Sequence, residues 1–211
     1  MENQVKIPID KAGHLLSDAD ILLFRAPKYI FNTGWCIARH NLGIHTHIAM
    51  ANKVNKEWYS VEFREFPLSR NIPLKQQFEE RPHLEIDVYR VSPLYYYYEF
   101  NPIKNQVELH KNQLTQTKVD KILEFCRSLV GLSYSYKLIF NMMLAYIPGF
   151  RLIINRDYKE NGPTGFVCST LIARSYRRYY VDLVNGITDE FTSPTDITRS
   201  KYLNYLFTLT R

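Results

Sequence analysis

At 211 residues, with 45% hydrophobic and 23% charged side chains, the chain has an ordinary globular composition and enough length to bury a sizeable core. Its net charge of +6 is scattered along the chain; that permits anionic partners but lacks the dense basic stripe of a dedicated nucleic-acid binder. Three cysteines, Cys36, Cys126 and Cys168, make an odd set with no C-x-x-C pair, which argues against a disulfide scaffold or a cysteine-rich zinc site.

Met1 to Asp10 is polar and lacks the apolar core of a signal peptide. The longest apolar stretch, Leu138 to Leu152, is interrupted by Asn141, Pro148, Gly149 and Arg151 and is too short to span a bilayer. A reducing, cytoplasmic location is expected, and carriage in a virion is compatible with it. No linker or repeat divides the chain, so one domain over residues 1–211 is expected, with its core at about 18–203.

In chain order, residues 1–17 read as a lead-in with a short helix. Asp20 to Arg25 is an apolar run of strand length, with Asp18 and Asp20 as turn formers ahead of it. Tyr29 to His40 reads as a turn and a short helix. In Ile44 to Met50, alternation places Ile44, Thr46, Ile48 and Met50 on one face and His45, His47 and Ala49 on the other. After a polar turn at Asn52 to Lys56, Trp58 to Phe63 completes an antiparallel hairpin and brings Glu62 within cross-strand reach of the histidine face.

Pro67 to Pro82 reads as irregular, with Pro73 and Pro82 as breakers. Leu84 to Val91 is expected as a third strand with Ile86, Val88 and Arg90 on one side, and Tyr95 to Phe100 as a half-buried fourth. Thr115 to Val130 is an amphipathic helix that ends before Gly131, and its apolar stripe includes Cys126, which is therefore core. Leu138 to Ile147 is either a core helix or a surface flap. Ser193 to Ile197 makes a helix-start turn.

Cys168 opens a helix expected to run to about Tyr180, after a loop containing Asn161, Gly162, Pro163 and Gly165. Leu171, Ile172, Ser175 and Tyr176 recur at helical spacing and face inward. A thiol at a helix start stands among unpaired N–H groups at the positive end of the dipole, which favours the reactive thiolate. A buried structural cysteine is the plainer reading, so the nucleophile needs a base. Among His14, His40, His45, His47, His83 and His110, only His45 and His47 stand on a strand beside a candidate orienting group, Glu62. Strand physics alone does not choose between the two. A zinc site on the His-x-His pair would need a third ligand such as Glu62 or Cys168, and no other residue has ligand spacing.

The segments Asp20-Ile21-Leu22-Leu23-Phe24, Thr46-His47-Ile48-Ala49, Val61-Glu62, Gly131-Leu132-Ser133-Tyr134, Cys168-Ser169-Thr170-Leu171 and Ser193-Pro194-Thr195-Asp196-Ile197 follow one another in this order. The series resembles the circularly permuted branch of the NlpC/P60 superfamily of papain-like thiol enzymes. Ala19 stands where that pattern has glycine, and Ser135 where it has aspartate.

The resemblance implies an α+β, papain-like fold in permuted order: an antiparallel sheet of about four to six strands against helices, with the nucleophile at a helix N-terminus. It assigns Cys168 as nucleophile, His47 as base and Glu62 as orienter, with no cofactor and no metal. The expected activity is cleavage of an amide bond, in a peptide or peptidoglycan-type substrate, through a cysteine acyl-enzyme. A lipid-directed acyl hydrolase or acyltransferase, acting on an acylated small molecule with peripheral membrane contact through the Leu138 to Leu152 segment, is one alternative. A catalytically silent binding or assembly module, as in a virion, is the other. No specific nucleic-acid partner is expected.

Overall fold

The computed structural model describes residues 4–26, 43–63, 70–131, 167–189 and 192–211. In chain order these form β1 (Lys6–Pro8), α1 (Ile9–Ala12), β2 (Ile21–Arg25), β3 (His45–Val54), β4 (Glu57–Glu62), β5 (Arg70–Pro73) and α2 (Leu74–Glu80). There follow β6 (Ile86–Val91), β7 (Leu94–Asn101), β8 (Gln106–Gln113), α3 (Gln116–Ser128), α4 (Cys168–Arg177), α5 (Pro194–Thr198) and β9 (Leu203–Thr210). The expectations for Tyr29 to His40, Leu132 to Tyr134, Leu138 to Leu152 and the Asn161 to Gly165 loop fall outside the described residues.

The fold is mixed α+β. A seven-stranded sheet has the order β1-β9-β6-β2-β3-β4-β5, antiparallel throughout except for the parallel β1–β9 pair. This is larger than the four to six strands expected, because β1, β5 and β9 extend it at both edges. Strand β2 is central, and its continuous apolar run is what a strand covered on both faces requires. Ile21 and Leu23 point into one core with Ile48, Met50, Val61, Ile122 and Leu171. Leu22 and Phe24 point into the other with Ala49, Trp58, Leu74, Phe78 and Val88. Helices α3, α4 and α5 contribute to the first core, and α1 and α2 to the second.

Several boundaries differ from the sequence expectation for local reasons. Strand β3 continues through Val54, and only Asn55 and Lys56 turn, both left-handed with φ of 49° and 70°. Two such residues make the tight mirror-image turn whose twist matches a hairpin. Residues 70–80, expected as irregular, form β5 and α2. Pro73 is the N-cap of α2, where a missing N–H costs nothing, and Pro82 follows its end at Arg81. The prolines therefore punctuate a helix rather than forbid one. Strand β7 pairs with β8, which the sequence reading left out, in a separate two-stranded ribbon. Of its tyrosine run only Tyr95 is buried, so the expectation of a half-buried strand holds at one end. Among the described residues no helix is long and apolar enough to cross a membrane.

Candidate active site

Strand β3 carries both histidines, but a bulge separates them. The β2–β3 ladder runs through Leu23–Ile48 and Phe24–His47 and then skips to Arg25–His45, leaving Thr46 as the extra residue. His47 stays with Phe24, whose ring it meets edge-on at 5.0 Å between centroids. His45 turns with Arg25 toward Asp87, and its Nε2 lies 2.7 Å from Asp87 Oδ2. The expectation that His45 and His47 share a face is thus corrected: simple alternation assumed an unbroken ladder.

Asp87 is fully committed in this second cluster. It accepts from Arg25 Nε at 2.9 Å and Arg25 Nη2 at 2.8 Å, and from Thr208 Oγ1 at 2.5 Å. Burial raises its pKa, but the bonds from His45, Arg25 and Thr208 outweigh that and hold the carboxyl below its ordinary range. His45 serves this buried network and not the thiol.

His47 Nε2 lies 2.9 Å from Glu62 Oε2. The hairpin makes this meeting possible, because Glu62 stands opposite Ala49, on the same face and one diagonal step from His47. Glu62 is completely buried, and its other oxygen accepts from Arg70 Nε at 2.7 Å and Gln77 Nε2 at 3.0 Å. Arg70 reaches it because β5 sets the two residues opposite each other. Gln77, on the inward face of α2, also donates to Ser60 Oγ at 3.0 Å and receives a bond from Arg81. A buried carboxylate is expensive unless paired and hydrogen-bonded, and here a guanidinium, an amide and an imidazole meet that cost.

Cys168 is the first residue of α4 and is 6% exposed. Val167, the N-cap, provides no side-chain cap, so the helix's first N–H groups are left for other acceptors. Leu171, Ile172 and Tyr176 seat the helix in the first core, against the face of β3 that carries Ile48 and Met50. The β3–β4 ladder stops at the Ala49–Glu62 pair, just where the sulfur approaches. There the thiol bonds His47 and receives the backbone N–H groups of Ile48 and Ser169. Glu62 engages Nε2, which leaves Nδ1 as the other ring nitrogen.

Burial alone would raise the Cys168 thiol pKa, but the neighbouring imidazolium and the hydrogen bonds from His47, Ile48 and Ser169 bring it below the ordinary value. Burial likewise disfavours imidazolium at His47, while the Cys168 thiolate and Glu62 overcome it and raise its pKa. The two shifts together favour a thiolate–imidazolium pair. Cys126 is the contrast: buried on the α3 stripe, its thiol is pushed up to about 12 by desolvation.

Helix α5 holds the start of β3 in place. Ser193 and Asp196 form a reciprocal capping box, with Pro194 at the first helical position. The next residue, Thr195, backs onto Gly43, where an added Cβ would sit 1.9 Å from Thr195 Oγ1. Only glycine permits that approach two residues ahead of His45.

Of the residues singled out in the sequence, Cys168, His47 and Glu62 converge, His45 joins Asp87, and His110 stacks on Tyr97 in the β7–β8 ribbon. Cys36 and His40 lie outside the described residues. Arg70 and Gln77 do not stand out in the sequence, because Pro73 and Pro82 make their stretch read as irregular; the available signal is Leu74, Gln77 and Phe78 at helical spacing. Among the described residues no group of three or more His, Cys, Asp or Glu side chains is placed to hold a metal ion.

No family model matches the chain, and no curated protein matches it. A solved structure, that of metalloprotein yiiX from Escherichia coli O157:H7 (DUF1105), matches at a TM-score of 0.55 and 14% identity, covering 90% of this chain and 96% of that one. At this identity the likeness concerns the fold alone. The resemblance to the permuted NlpC/P60 branch is therefore corrected as a family assignment: matching finds a distant structural neighbour and no such family. Its motifs were a few residues each, and an apolar strand, a histidine before an apolar pair and a helix-start cysteine record local structure more than descent.

Proposed function

We propose that this chain is a thiol hydrolase of papain-like mechanism that cleaves an amide bond, in a peptide or peptidoglycan-type substrate, through an acyl-enzyme on Cys168. The observation that carries the reading is the Cys168–His47 contact, at a helix start, with His47 Nε2 2.9 Å from a buried Glu62. In the proposed reaction His47 Nδ1 takes the thiol proton and Glu62 keeps the ring in that orientation. The thiolate attacks the carbonyl carbon, and uncapped N–H groups at the start of α4 stabilise the oxyanion. His47 then returns the proton to the leaving amine, which departs and leaves a thioester. Water, deprotonated by His47, attacks that thioester and releases the acid and the thiol.

The neighbour yiiX is named a metalloprotein, but this donor set suits a metal poorly. Both Glu62 oxygens are engaged, by His47, Arg70 and Gln77, and Asp87 is engaged by His45, Arg25 and Thr208. A metal at either place would have to displace a guanidinium.

The test is the pH dependence of iodoacetamide alkylation, resolved by site with mass spectrometry, in the native protein and in His47→Ala. Cys168 should label well below the ordinary thiol pKa, and His47→Ala should slow it about 100-fold at neutral pH, within the usual range for removing a paired base. Cys126 should stay unlabelled in the folded protein. Equal labelling of Cys168 with and without His47 would sink the hydrolase and leave a binding or assembly module.

A further inference from the structure

The β7–β8 ribbon reverses the usual sidedness of a sheet. Antiparallel sheets with one covered face turn apolar residues inward and polar residues to water. Here the side toward the body carries Tyr95, Tyr97 and Glu99, paired with Asn112, His110 and Glu108. Tyr95 is buried and donates to the Tyr179 carbonyl at 3.0 Å, while the Tyr97 ring lies 4.9 Å from that of Tyr180. The outward side presents Tyr96, Tyr98 and Phe100 opposite Lys111, Leu109 and Val107, with the five apolar and aromatic residues between 47% and 67% exposed. At the apex Ile103 is 94% exposed. A contiguous apolar face of this kind marks an interaction surface.

We infer that this ribbon docks the protein on an anionic lipid surface through its Tyr98–Phe100–Leu109 face. Charge selects the occupant. Along the outward face the one charged residue is Lys111, while Glu99 and Glu108 stand on the opposite side. The chain as a whole carries +6, so an anionic leaflet attracts it, whereas a second copy would bring two +6 chains together around Lys111. The residue types suit a bilayer interface: tyrosines at headgroup level, with Phe100, Leu109 and Ile103 for the acyl boundary.

The ribbon is also fixed to the body, so docking does not have to order it. Tyr202 donates to the Tyr96 carbonyl at 2.6 Å, and Lys118 donates to the Tyr95 hydroxyl at 3.1 Å. This inference is independent of the thiol chemistry.

The full chain would be sedimented with vesicles of phosphatidylcholine alone and of phosphatidylcholine with about one-third phosphatidylserine. The native protein should pellet with the anionic vesicles and much less with the neutral ones. Tyr98→Ser/Phe100→Ser should weaken that binding about tenfold or more, and Lys111→Glu should weaken it on anionic vesicles only. These positions are exposed, so circular dichroism and the alkylation rate of Cys168 without lipid should match the native protein. Failure of the native protein to pellet, or equal binding by the double variant, overturns the inference. So does a native dimer in light scattering that the double variant converts to monomer, since a second copy then covers the face.

Discussion

Whether Cys168 holds its proton depends on opposing effects that act in known directions. Desolvation works against both charged partners, and their mutual attraction outweighs it, lowering the thiol pKa and raising that of the imidazole. The thiolate–imidazolium pair therefore forms as pH rises through the depressed Cys168 value and is lost as pH rises through the elevated His47 value. A bell-shaped rate profile between those limits is the expected outcome for the hydrolase. The proposed reaction uses Glu62 as a carboxylate, and Arg70 and Gln77 donate to its second oxygen. Arg70→Ala leaves the buried carboxylate with less compensation, so Glu62 protonates at higher pH and the acid limb of Cys168 alkylation moves up. A shift of about one pH unit corresponds to about a tenfold loss of rate on that limb, and Arg70→Lys should restore part of it. A purely structural role for Arg70 would lower the melting temperature without moving the limb.

The β3–β4 hairpin brings His47 and Glu62 together, and its two-residue turn fixes their register. Lys56 holds φ of 70° there, a conformation that costs a side chain about 1 kcal/mol and glycine almost nothing. Lys56→Gly completes an Asn-Gly turn and should raise stability by up to about 1 kcal/mol in urea titration, with Cys168 alkylation unchanged. At the other end of the chain, Ser193→Ala removes the α5 capping box and should cost about 1 kcal/mol. Elements like these were legible because they depend on neighbours in sequence: the apolar run of β2, the α3 stripe, the Ser-Pro-Thr-Asp start of α5 and the helix-start position of Cys168. What escaped depended on distant partners. The bulge at Thr46 appears only when β3 is laid against β2, and it alone separates His45 from His47. The pairing of Arg70 with Glu62 required β5, which two prolines concealed. Sidedness in the β7–β8 ribbon depends on pairing with β8, which the tyrosine run of β7 does not reveal by itself.

Across the described residues one sheet serves two cores, and consecutive residues of β2 divide between them. Leu22 is buried among Ala49, Trp58 and Phe78, and Leu23 among Ile48, Val61 and Leu171; both are 0% exposed. Truncating either to alanine removes the same methyl groups and should cost about 2–5 kcal/mol, depending on how far each core collapses onto the cavity. Because both side chains leave one central strand, neither core can melt and leave the sheet intact. Both variants should therefore unfold in one transition, with coincident far-ultraviolet circular dichroism and tyrosine fluorescence curves in urea. Their effects on the thiol should differ. The cavity left by Leu23→Ala opens in the core that seats α4, so the Cys168 contact with His47 loosens and alkylation near neutral pH slows, whereas Leu22→Ala leaves α4 supported. Equal slowing by both variants would mean that the two faces share one packing unit and that Cys168 is positioned by the sheet as a whole. A transition that splits in Leu22→Ala alone would show that the α1–α2 layer is separable from the layer bearing the thiol.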